Sequence, residues 1–301
     1  MRVAVAGASG LIGGALTRHL RQEGHVVMRL VRRSAKSGDE VSWDPDTGAV
    51  DLRHLDGVDA IVHLAGAGVG DRRWTAAYKA KIRDSRVRTT RTLATAMTRL
   101  EHRPEVLIAG SAIGYYGDTG DRAVDESAPQ GAGFLAGVVA DWEAAADPAR
   151  AAGIRVVHAR SGLVVSPRGG AWGRLWPIFA TGLGGRLGSG DQWWSFVSLR
   201  DEVAALTFLL ENLEGPVNIT APQPTTNAGV SAAMAEVMHR PAKLPVPALA
   251  IKLVLGEFSG EILGSRRILP TRLEAARFSF QDPTIEDALM WAWAQRRRRR
   301  T

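Results

Sequence analysis

A short apolar run, Arg2 to Ala6, ends at Gly7, and further glycines follow at Gly10 and Gly13, so G-x-x-G-x-x-G stands between a first strand and a first helix. Alone the triplet is weak evidence; its place in the first βα turn of a chain with repeated βα pattern gives it weight. One glycine permits the sharp turn, the next lets backbone N–H groups approach a pyrophosphate, and the third lets helix pack on strand. The anion is then favoured by the unpaired N–H groups and the dipole of the helix N-terminus.

The rest of the chain carries the alternation such a turn belongs to. Strands are predicted near Arg2 to Ala6, Val26 to Val31, Ala60 to Leu64, Val106 to Gly110, Arg155 to Ala159 and Val217 to Thr220. Helices are predicted over Leu11 to Glu23, Thr75 to Leu100, Phe134 to Ala152, Arg200 to Leu213 and Asn227 to His239. This predicts an α/β fold, a Rossmann-type doubly wound parallel sheet with a smaller C-terminal substrate lobe. Residues 1–165 form the nucleotide-binding domain, completed by 197–240. The Gly- and Trp-rich segment 166–196 reads as a lid or substrate loop. Residues 241–295, entered through prolines, read as a C-terminal helical domain, and 296–301 as a basic tail.

The acid that usually meets the ribose 2′-hydroxyl about 20 residues after such a turn is replaced by Arg32 and Arg33. Guanidinium groups match a 2′-phosphate in charge and geometry, so the expected cofactor is NADP(H) in preference to NAD(H). Read without a ligand, the two are ordinary surface arginines.

Composition narrows the classes further. There is no cysteine, which removes disulfides, thiolate metal ligands and a thiol nucleophile, and fits a cytoplasmic protein. The N-terminus has no signal-peptide pattern, and the apolar runs Val203 to Leu210 and Ala248 to Leu255 are too short for a span, so no membrane is expected. Arg296 to Arg300 carry five positive charges of a formal net +7, and the other basic residues are not interleaved with aromatics. Specific nucleic-acid binding is therefore not expected, and the tail reads as solvated or disordered.

The stretches AGASGLIGGAL, VHLAGAGVGDRRW, KIRDSRVRTTRTL, GSAIGYYG, DWEAAA, ARSGLVVSPRGGAWGRLWPIFATGLGGRLGSG and LGSRRILPTRLEAARFSF are collinear from Met1 to about Leu289. In these the chain resembles the atypical extended short-chain dehydrogenase/reductase subgroup, an epimerase family of unknown substrate with a C-terminal domain of unknown function. The resemblance implies an NADP(H) site built from the glycine turn with Leu11 and Ile12, from Arg32, from Leu64, Ala65 and Gly66, from Lys81 and Arg86, and from Val164. Taken as residues alone, Lys81 and Arg86 read as a solvated helix face. The resemblance also leaves room for a homodimer through the long helix from Thr75 to Leu100, and for an unidentified small-molecule substrate.

The chemistry departs from the superfamily pattern. Its Tyr-x-x-x-Lys pair, in which Lys lowers the Tyr pKa, has Phe134 and Val138 in its place, and no lysine lies between Lys81 and Lys243. Ser111 fits the substrate-polarising serine by motif. Three readings follow. The first is an NADP(H)-dependent oxidoreductase or epimerase using Ser111, Tyr115 or Tyr116, with Asp118 nearby as acid or base. The second is a non-catalytic NADPH sensor. The third makes the fold a carrier for an arginine tail that meets an acidic partner. Tyr116, next to Gly117, is the strongest single candidate, and the segment with Gln192, Trp193 and Trp194 is expected either to close over substrate or to pack between lobes.

Overall fold

The computed structural model describes residues 1–298. Eight strands form one sheet: β1 (Arg2–Ala6), β2 (Val26–Val31), β3 (Glu40–Asp44), β4 (Ala49–Val50), β5 (Ala60–His63), β6 (Val106–Ala112), β7 (Arg155–Ser161) and β8 (Gly215–Ile219). Their spatial order is β8-β7-β6-β5-β1-β2-β3-β4, parallel throughout except for the β3–β4 pair. The order reverses between β1 and β5, which is where a doubly wound sheet opens its ligand crevice.

The helices used below are α1 (Leu11–Gln22), α2 (Ala76–Thr98), α3 (Phe134–Ala144), α4 (Asp147–Ala151), α5 (Gly170–Ala180), α6 (Leu199–Phe208), α7 (Asn227–Met238), α8 (Ala248–Leu255) and α9 (Ile285–Arg298). Side chains alternate across β1, so Val3 and Val5 pack with Leu16 and Leu20 of α1 and Val203 and Leu206 of α6. Ala4 and Ala6 face the opposite way, onto Leu93 and Met97 of α2 and Ala149 of α4. Both faces of the sheet are thus buried, as its near-continuous apolar strands require.

Several expectations need correction. The helix expected over Phe134 to Ala152 is two, because the chain breaks after Ala144 and restarts with Pro148 in the first turn of α4. Strands β3 and β4 were not foreseen; their five and two residues are too short to show a period. The segment 166–196 is partly helical. It contains α5, whose Trp172 and Trp176 are fully buried with Met234 of α7 and Leu289 of α9 in a third core. Trp194 is buried in that core, and Gln192 donates to the Leu187 carbonyl at 3.0 Å. Trp194 and Gln192 thus take part in packing between lobes.

The basic tail is corrected too. Helix α9 runs through Arg298, past the boundary at 296, and the Arg296 side chain donates to the Pro167 carbonyl at 2.9 Å. Residues 299–301 lie outside the described residues. Among the described residues no helix is long and apolar enough to cross a membrane.

Candidate functional site

The strand ends beside the switch point open on a cavity of about 1450 Å³. Gly7, Gly10, Arg32, Arg33, Leu64, Ala65, Gly66 and Lys81 line it, all singled out from sequence. Gly7 has φ +85°, and a Cβ there would lie 2.9 Å from the Ala65 backbone nitrogen. A Cβ on Gly13 would lie 2.2 Å from the Gly7 carbonyl oxygen, so helix and turn touch backbone to backbone. No side chain caps the start of α1, which leaves its first N–H groups for an anion. Leu11, Ile12 and Val164 do not line the cavity; they pack against the apolar core behind the turn.

The two arginines at the end of β2 divide their roles. Arg33 donates through both terminal nitrogens to the two carboxylate oxygens of Glu40, each at 2.7 Å. Glu40 enters from the unforeseen β3, is 3% exposed and also meets Arg29 at 3.1 Å. The Arg33 hydrogen bonds hold its carboxyl at about 2. A carboxylate does therefore stand beside the two arginines, but Arg33 occupies both of its oxygens. Arg32 is exposed on the same cavity and makes no hydrogen bond or ion pair among the described residues.

Arg86 lies beside Gly66 of the cavity wall but does not itself line the cavity. Its guanidinium lies 3.4 Å from where a Gly66 side chain would begin, sits 5.2 Å from the Trp142 ring and donates to the Ile82 carbonyl at 3.0 Å. Burial pushes its pKa down to about 10. No carboxylate pairs with it among the described residues.

The candidate proton carriers are tied together. Ser111 Oγ donates to Glu143 Oε1 at 2.6 Å, and Glu143 receives Arg160 Nε and Nη2, each at 2.8 Å. Arg160 Nη1 donates to the Tyr116 hydroxyl at 2.9 Å, and that hydroxyl donates to Asn218 Oδ1 at 2.7 Å. Burial opposes charge on Glu143, yet Arg160 outweighs it and keeps the carboxyl below its usual pKa. For Tyr116 burial wins, and the phenol is pushed up to about 12. A phenol so placed holds its proton at neutral pH. Tyr116 is thus not the free donor expected; its hydroxyl has both partners inside the protein. Tyr115 is half-buried, with Arg160 3.6 Å from its ring centre and no hydrogen bond to its hydroxyl among the described residues. Asp118 accepts from Gly120 N at 2.9 Å and Ser265 N at 3.3 Å, which makes it a loop anchor.

Phe134 and Val138 occupy an aromatic cluster with Trp74 and Tyr78, and the Trp74 and Phe134 ring centres are 5.0 Å apart. Glu40, Glu143, Arg160 and Asn218 were missed as site residues. The stretches DWEAAA and ARSG contain two of them, but nothing in their spacing announces the pairing.

The NAD dependent epimerase/dehydratase family matches residues 3–220, and a domain of unknown function (DUF1731) matches 246–292. An epimerase family protein of Mycobacterium bovis is 47% identical over 293 residues, covering 96% of this chain and 97% of that protein. The human epimerase family protein SDR39U1, crystallised with NADPH, superimposes with a TM-score of 0.90 at 31% identity, covering 98% of this chain and 99% of that one. A nucleoside-diphosphate sugar epimerase from Corynebacterium glutamicum gives a TM-score of 0.78 at 32% identity, over 99% of this chain and 61% of that chain. With the glycine turn, the switch-point crevice and a match that spans most of its length, the chain belongs to the NAD dependent epimerase/dehydratase family.

Proposed function

We propose that this chain binds NADP(H) in the crevice at the glycine turn, as a redox protein of its family that works without a phenol base. The observation that carries the reading is Arg32, unpaired at the ribose end while Arg33 neutralises the neighbouring Glu40. Arg32 would hold the 2′-phosphate and the first turn of α1 the pyrophosphate. NADPH in the human relative's crystal structure supports the same cofactor here. Bound nicotinamide would supply hydride chemistry. Tyr116, pushed up to about 12, cannot take a proton at neutral pH, and Ser111 has already given its hydrogen to Glu143.

That commitment of Ser111 and Tyr116 also favours a second reading, a sensor that binds the cofactor without turning it over. Transfer of deuterium from 4-deuterated NADPH to a carbonyl panel separates the two: an oxidoreductase gives label that survives Tyr116→Phe, and a sensor gives none. The cofactor assignment is tested by titration. Arg32→Asp should lower the preference for NADPH over NADH by at least about tenfold, equivalent to about 1.4 kcal/mol. An unchanged preference would remove Arg32 from the site.

A further inference from the structure

The outer wall of the crevice is the segment between β5 and α2, where Gly66, Ala67, Gly68, Asp71 and Arg72 line the cavity without regular secondary structure. Its inner side is tied to α2: Tyr78 Oη donates to the Gly68 carbonyl at 2.6 Å, and Ser85 Oγ accepts from Ala67 N at 3.0 Å. Its outer side is covered by Gly256, Glu257 and Phe258, which belong to the domain of unknown function. The Phe258 and Trp74 ring centres are 5.4 Å apart, and a Cβ on Gly70 would come within 3.2 Å of the Phe258 ring. Gly256 has φ +59°, and a Cβ there would lie 3.2 Å from Arg73 Nε. Lys79 Nζ and Glu257 Oε1 are 2.7 Å apart.

Trp74 also stacks edge-on against Phe134, so Phe258, Trp74 and Phe134 form one aromatic series. The position that carries the phenol base in the superfamily pattern is here the floor on which Trp74 rests. Val138, in the place of the lysine, is buried in the same cluster. Apolar replacement of the dyad and docking of the C-terminal domain are therefore two sides of one packing arrangement.

We propose that Gly256 to Phe258 form a strap that holds the 66–74 wall against bound cofactor, with Phe258 as a positioning residue for cofactor retention. This gives the C-terminal domain a role, and it rests on the reading of the crevice as an NADP(H) site. Because the strap touches the wall and not the ribose end, its loss acts on the rate of release and leaves the choice between NADPH and NADH to Arg32.

The test is stopped-flow displacement of NADPH from the full chain. Phe258→Ala should raise the NADPH off-rate about tenfold or more with a smaller change in on-rate. The NADPH to NADH preference should stay as in the wild type, a split that general loosening of the fold would not give. Phe258→Tyr should restore the off-rate. Glu257→Lys, at a pair whose side chains are 30% and 52% exposed, should raise it a few fold, and the double variant Lys79→Glu with Glu257→Lys should bring it back. Unchanged off-rates in both Phe258→Ala and Glu257→Lys would overturn the strap while cofactor binding stands. Failure of the wild type to bind NADPH would overturn the cofactor reading, and the strap with it.

Discussion

Arg160→Met is expected to cost about 3–5 kcal/mol of stability, the range for removing one partner of a buried ion pair. Arg160 is 3% exposed and its carboxylate partner Glu143 12%, so the variant strands a charge that water reaches poorly. It also removes the donor to Tyr116. Urea denaturation at pH 7 measures the loss. Replacing both partners by apolar residues, Arg160→Met with Glu143→Leu, should recover much of it, since an apolar pair has no charge to desolvate. A single-variant cost below about 1 kcal/mol would place the pair among weak surface bridges and contradict its role as the centre of the network.

The second large effect is a pH dependence. Glu202, in α6, is fully buried, accepts from Ser161 Oγ at 2.6 Å through one oxygen, and has no partner for the other among the described residues. Burial pushes its pKa from 4.5 to about 7. The folded state thus binds this proton more tightly than the unfolded chain. Its contribution is fully present below about pH 4.5 and is lost as pH rises through about 7. The loss approaches about 3 kcal/mol by pH 8. Glu202→Gln keeps an acceptor for Ser161 and cannot ionise. Its stability should fall less than that of the wild type between pH 5 and pH 8, by about 2.5 kcal/mol. Parallel pH profiles for the two proteins would show that Glu202 does not titrate in this window.

The crevice was legible in the sequence, and the network behind it was not, for a physical reason. Gly7, Gly10 and Gly13 act through local geometry: a positive φ at Gly7 and a backbone contact at Gly13 that no side chain permits. Spacing along the chain reports such constraints directly. Arg160, by contrast, meets Glu143 at a separation of 17 residues and Tyr116 at 44, and Tyr116 meets Asn218 at 102. The pairing of β6 with β7 and of β7 with β8 brings Tyr116, Arg160 and Asn218 together, and α3 adds Glu143. The same holds for Arg32 and Arg33, which look equivalent until β3 delivers Glu40 beneath one of them. Phe134 and Val138 could be singled out from the sequence, but their partner Trp74 could not. Arg296 was misjudged because a run of like charges suggests solvent, whereas the apolar face of α9 carries the helix past it.

The most direct test of the whole account is a crystal structure of the chain soaked with NADPH. The account predicts the 2′-phosphate within hydrogen-bond distance of the Arg32 guanidinium, the pyrophosphate over the first turn of α1, and the Tyr116 hydroxyl still held by Arg160 and Asn218. A 2′-phosphate left in solvent, or a Tyr116 side chain swung out of its network towards the nicotinamide, would contradict it.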